Sequence, residues 1–103
     1  MSDSLPPLTG ARKSRLRALG QTMPDLITLG RDGLTPALAA ELDRLLGARE
    51  LVKLRFTGGQ DRHERSRLCD EIAATSRSLE VGAVGHTALF WRPPAGKSRL
   101  LPE

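Results

Sequence analysis

Two glycines three residues apart, Gly30 and Gly33, enclose Arg31 and Asp32 in the segment LITLGRDGLTPAL. An apolar run precedes them and a helix start follows. Glycines at such a junction let another backbone approach closely. A helix start behind them offers unpaired N–H groups and a positive dipole end to a phosphate. A bare G-x-x-G equally fits a tight turn that needs positive φ, and the motif alone favours the turn. The loop has neither the longer glycine spacing nor the Lys-Ser/Thr pair that cradles nucleotide phosphates, so nucleotide hydrolysis is not supported. Because Arg31 and Asp32 nearly cancel in charge, the loop is expected to make contact through backbone N–H groups more than through its own field.

The other candidates for chemistry are cations. Arg12, Lys13, Arg15 and Arg17 place four positive charges within six residues, and Lys53 and Arg55 alternate along a second apolar run, LVKLRF. Such clusters are often solvated faces. Near a phosphate-sized loop they gain a second use, since each phosphate contact adds affinity through counterion release and needs no dedicated pocket. Lys53 and Arg55 share one side of their strand; burying them without partners would be costly, so that side is expected to meet water or a polyanion, or else to carry two snorkelling side chains at an edge. The whole chain carries 16 Lys and Arg against 12 Asp and Glu, a net charge of +4, which favours a polyanionic partner.

Little else is reactive. Cys69 is the single cysteine, so an intramolecular disulfide is excluded, and His63 and His86 each stand alone. No metal site, cofactor site or nucleophile with a base beside it emerges, and the chain is not expected to be an enzyme. Cys69 falls on an apolar helical stripe and is expected in the core. Phe90 and Trp91 point to opposite sides of one strand, which suits core packing better than a base-stacking platform.

The elements that must position these residues follow from periodicity. TGARKSRLRALG, from Thr9 to about Gly20, is expected to be a helix with Leu8, Leu16 and Leu19 available for packing. Leu26 to Leu29 is a buried strand closed by Gly30. Thr35 as N-cap and Pro36 at the first helical position open a second helix, with Leu38, Leu42, Leu45 and Leu46 on its apolar face and Gly47 as its stop. In the following strand Val52, Leu54 and Phe56 face one way and Leu51, Lys53 and Arg55 the other. Asp61 and Glu64 have capping-box spacing ahead of a third helix that carries Leu68, Cys69, Ile72 and Ala73 and ends near Arg77. Leu79 to Val84 and Thr87 to Trp91, joined by Gly85 and His86, form an antiparallel hairpin. The order is α-β-α-β-α-β-β, an α/β chain with a mixed sheet. Its 103 residues suit one domain, residues 8–103, behind a flexible tail, residues 1–7. The start MSDSLPP lacks the marks of a signal peptide and no stretch is apolar enough to span a membrane, so a cytoplasmic monomer without membrane contact is expected.

Six pieces stand in order from about Leu8 to Pro102: KSRLRALG, LGRDGLT, ELVKLRF, DRHER, VGHTALFWRP and LLP. Together they resemble the CRM domain in its stand-alone bacterial form, often called YhbY-like. The resemblance implies a KH-like two-layer fold with a four-stranded mixed sheet, similar to the C-terminal domain of bacterial translation initiation factor three. It also puts the loop Gly30–Gly33 on the RNA surface, where a GXXG loop clamps nucleotide backbone. Bacterial members look like assembly factors for the large ribosomal subunit, and plant relatives use the domain in organellar intron splicing. The chain departs from the usual pattern after the first helix, where Gly20-Gln21 replaces Ala-His and Pro24-Asp25 replaces Lys-Pro, removing a positive charge.

Two functions follow as expectations. In the first, Gly30, Arg31, Asp32 and Gly33, with Arg12, Lys13, Arg17, Lys53 and Arg55, bind ribosomal RNA in precursors of the large subunit. In the second, an edge strand or the Leu-rich second helix docks a protein partner and the charge serves solubility.

Overall fold

The computed structural model describes residues 8–94 and 98–101; the expected N-terminal tail lies outside the described residues. The elements are α1 (Gly10–Gln21), β1 (Ile27–Leu29), α2 (Pro36–Arg49), β2 (Leu51–Phe56), α3 (Arg62–Ser76), β3 (Leu79–Val84) and β4 (Thr87–Trp91). This is the α-β-α-β-α-β-β order expected from periodicity.

Each helix begins where its capping chemistry places it. The side chains of Thr9 and Thr35 accept hydrogen bonds from the Arg12 and Leu38 backbone N–H groups at 3.2 and 3.1 Å. Asp61 and Glu64 close a reciprocal capping box, with distances of 2.8 and 2.9 Å. The ends are less regular. α2 does not stop at Gly47 but runs on to Arg49, ended by Glu50 at a positive φ of 68°. Glycine lowers helix propensity by only about 1 kcal/mol, which the buried Leu42, Leu45 and Leu46 readily outweigh.

Glu50 accepts this uncommon backbone because its side chain has work in the interior. Only 4% exposed, its carboxylate accepts hydrogen bonds from Trp91 Nε1 and the Arg99 backbone N–H, both at 2.8 Å, and from the Ser98 hydroxyl. The segment after β4 is thereby tied to the end of α2. Arg92 adds a second tie, donating to the Asp43 carboxylate and the Ser76 carbonyl, both at 2.8 Å.

The sheet has the order β1-β2-β4-β3. β1 pairs with β2 in parallel, Leu29 opposite Phe56. β4 inserts antiparallel between β2 and β3, opposing Lys53 with Leu89 and Leu79 with Trp91. β3 slips register between Glu80 and Gly82, a bulge that leaves one extra residue on that strand.

Strand alternation divides the core in two. Ile27, Leu29, Val52, Leu54, Phe56, Ala88 and Phe90 face α2 and α3, building the sheet-and-helix unit of a KH-like fold. On the opposite face, Leu51, Val81, Leu89 and Trp91 pack with Leu16 of α1 and with Leu101. Phe90 and Trp91 are both fully buried, one in each half. Cys69 is buried under α3, and burial, followed by the nearby charges of Glu80 and Asp70, pushes its thiol up to about 12.

α1 is attached by little apolar surface: Leu16 and Gly20 are its buried residues, one turn apart. Gly20 lets the helix sit directly on β4, since a Cβ there would run into the Leu89 side chain. The helix therefore lies across β3 and β4 and reaches the start of β2, where Leu51 joins Leu16. Toward β1, Thr28 and Arg55 remain exposed and Lys53 half-buried.

Candidate nucleic-acid interface

The Gly30–Gly33 loop leaves β1 at the sheet end where β2 also finishes, and α2 and α3 both start there. Its shape is a tight turn: the Gly33 N–H donates to the Gly30 carbonyl at 3.1 Å, and Gly33 takes φ 70°. The turn is braced from behind. Gln60 Nε2 donates to the Gly30 carbonyl at 2.8 Å, and its Oε1 accepts from the Gly58 N–H at 3.0 Å. Gly58 is required for this close approach, because a Cβ there would lie 2.6 Å from the Arg31 nitrogen and the Gly30 carbonyl carbon. The Arg31 and Asp32 side chains project outward, exposed and without a hydrogen bond or ion pair among the described residues.

The helix start behind the loop offers fewer donors than a bare α-helix would. Pro36 has no N–H, the Leu38 N–H is taken by Thr35, and the Thr35 N–H bonds the Gly33 carbonyl at 3.1 Å. Arg31, Asp32 and Ala37 are exposed residues whose backbone N–H groups have no acceptor among the described residues. The loop is thus a tight turn that still leaves backbone N–H groups without an internal acceptor.

The cations fall into three places. Lys53 and Arg55 sit on the half-open sheet face as alternation requires, two residues and so about 7 Å apart. Arg17 lies across Gly82, where a Cβ would be 2.7 Å from its Cδ, and joins Lys53 along one groove. Arg12 and Lys13 begin the same helix a turn or more from Arg17 and are not part of that groove. Arg55 is partly spoken for: its Nε lies 3.5 Å from Asp25 Oδ1, with both side chains substantially exposed. Asp25 is one of the residues that depart from the pattern noted above, so the departure adds an opposing charge besides removing a positive one.

Sequence reasoning passed over the first turns of α3. Arg62, Arg65 and Arg67, with His63, follow the brace loop at the same sheet end. Arg65 donates to the Gln60 carbonyl at 2.6 Å and lies 3.5 Å from His86 Nδ1 at the hairpin tip. The sequence signal is three arginines in DRHERSR, a segment whose Asp61–Glu64 spacing otherwise marks only a helix start. Among the described residues no group of three or more His, Cys, Asp or Glu could hold a metal ion, and no helix is long and apolar enough to cross a membrane.

Fold and site together define an α/β protein of KH-like build, with a glycine turn at the end of a half-open sheet face that carries Lys53 and Arg55. Comparison with known proteins narrows this class. The chain belongs to the CRS1 / YhbY (CRM) domain family, which matches residues 8–92. It is 34% identical over 85 residues to a probable RNA-binding protein of Pseudomonas aeruginosa, covering 82% of this chain and 81% of that one. An RNA-binding protein of Haemophilus influenzae is 27% identical over 96 residues, 93% of this chain and 96% of its own. The solution structure of a hypothetical protein from Staphylococcus aureus superposes with a TM-score of 0.75 at 24% identity, covering 84% of this chain and 90% of that one, which shows the shared fold.

Proposed function

We propose that this protein binds structured RNA through its phosphate backbone, and that its target is ribosomal RNA in precursors of the large ribosomal subunit, where it acts as an assembly factor. One observation carries the reading: an outward-facing Gly30–Gly33 turn with free N–H groups stands at the end of a half-open sheet face that carries Lys53 and Arg55, with Arg17 beside them. In this arrangement the turn seats one phosphate on backbone N–H groups, and the sheet cations and Arg12, Lys13 and Arg17 of α1 meet its neighbours along the strand. Arg62, Arg65 and Arg67 widen the basic rim on the α3 side. The relatives named as RNA-binding proteins support the same partner. Both aromatics of β4 are buried, so recognition by base stacking on the sheet is disfavoured.

The test is a salt titration of binding to a large-subunit ribosomal RNA fragment, paired with gradient sedimentation of cell extract at low salt. Backbone contact requires affinity to fall steeply as salt rises, and assembly work requires co-migration with large-subunit precursors. Negligible RNA binding at every salt concentration would leave the protein-docking alternative in its place.

A further inference from the structure

The cations above account for one side of an open groove but not for its floor. Where the C-terminal half of α1 meets the sheet, Arg17, Gly20, Gln21, Lys53, Gly82, Val84, Thr87, Ala88 and Leu89 enclose a volume of about 450 Å³, within the range of roughly 300–1,000 Å³ that small organic ligands occupy. Phosphates have no use for an apolar floor. Yet Val84, at 78% exposure the exposed large hydrophobic side chain among the described residues, stands at the groove's edge beside Leu89.

We infer that this groove receives the base of one unpaired nucleotide extruded from folded RNA, an assignment that rests on the RNA-binding function proposed above. Charge and shape select that occupant. Two cations flank an apolar floor, which matches a base attached to a phosphate better than it matches an apolar side chain or a bare phosphate. Arg17 spans Gly82 on its aliphatic stem, so its guanidinium can lie over a base plane, a stacking mode common in recognition of single-stranded RNA. Lys53, half-buried on the opposite wall, is placed for the attached phosphate. Base edges meet polar groups as well. Gln21 supplies an amide with both donor and acceptor, and the Thr87 hydroxyl, whose proton goes to the Val84 carbonyl at 2.9 Å, keeps lone pairs to accept.

The β3 bulge helps to make the groove. The register slip between Glu80 and Gly82 brings a glycine beneath Arg17, where any side chain would lift the arginine off the sheet.

The experiment uses two RNA hairpins with identical stems, one fully paired and one carrying a single bulged 2-aminopurine, titrated at low salt against the full-length protein and its Val84→Ser and Gly82→Ala variants. 2-Aminopurine is quenched by stacking in RNA, and the groove lining contains no aromatic residue. The parent protein should bind the bulged hairpin more tightly and brighten its fluorescence. Val84→Ser should lower affinity for the bulged hairpin about fivefold, the effect of withdrawing one isopropyl group from a contact, while binding to the paired stem stays unchanged. Gly82→Ala should reduce the brightening by displacing Arg17. Equal affinity for both hairpins with unchanged fluorescence overturns the inference and leaves RNA binding intact. Failure of the parent to bind either hairpin overturns both.

Discussion

Replacing Arg31 by Asp tests the glycine turn with little risk to the fold. The turn is held by the Gly33 N–H bond to the Gly30 carbonyl, by φ 70° at Gly33 and by Gln60 behind it, none of which involves the Arg31 side chain. Stability should therefore change by less than about 0.5 kcal/mol. The loop's charge, by contrast, moves from zero to minus two, a change of two units at the position proposed for a phosphate. At about 4 Å one unit charge pair is worth about 1 kcal/mol in water and about 4 kcal/mol at an effective dielectric near 20. Arg31 is exposed, so the lower figure governs. Two units then cost about 2 kcal/mol before screening, and a Debye length of about 8 Å at physiological salt removes only part of that. What remains corresponds to a loss of affinity of about tenfold, measured by filter binding or fluorescence anisotropy alongside a thermal melt. A variant that melts with the parent and binds RNA as tightly would reduce the Gly30–Gly33 turn to a structural element and refute its place in the interface.

Asp25→Asn should raise RNA affinity two- to fivefold, on the order of a surface ion pair, by releasing Arg55 from the contact at 3.5 Å; an unchanged or lower affinity would show that Arg55 does not meet RNA. Glu50→Gln should destabilise the protein by about 2 kcal/mol, on the order of 10 °C in Tm, because the amide turns an N–H toward donors that a carboxylate accepts; Trp91 fluorescence during urea unfolding reads the loss. Cys69 should react slowly with an alkylating reagent at pH 8 in the native protein and quickly in urea, since burial keeps its thiol protonated. Its pKa is raised in the folded state, so its contribution to stability is complete below the ordinary thiol value of 9.0 and is lost as pH climbs toward about 12; an alkaline melting series in which Cys69→Ala shows the same decline would contradict this.

Local chemistry made much of this protein legible from its residues. The caps at Thr35 and Asp61 mark helix starts because a short polar side chain there satisfies backbone donors only a few bonds away. The faces of β2 follow from strict alternation, which sets Lys53 and Arg55 opposite Val52, Leu54 and Phe56. The hairpin follows from a two-residue connection with a glycine at φ 58°. Family membership was also readable, because six short segments in fixed order are a property of the chain itself.

What required the tertiary structure was decided between residues far apart in sequence. The insertion of β4 between β2 and β3 depends on which strand edges win each other as partners, and no local pattern encodes that choice. The face taken by α1 turns on Leu16 and on the missing Cβ of Gly20 over Leu89, a fit between positions 69 residues apart. The true end of α2 lies at Glu50, since a buried carboxylate and its donors from Trp91 to Arg99 outweigh the weak local signal of Gly47. Arg55 looks free on its strand, yet Asp25 stands beside it only because β1 and β2 pair in parallel and bring the segment before β1 alongside β2. Spacing along a chain reveals the chemistry of each residue, whereas the field and neighbours that residue experiences are set by contacts the chain makes only once folded.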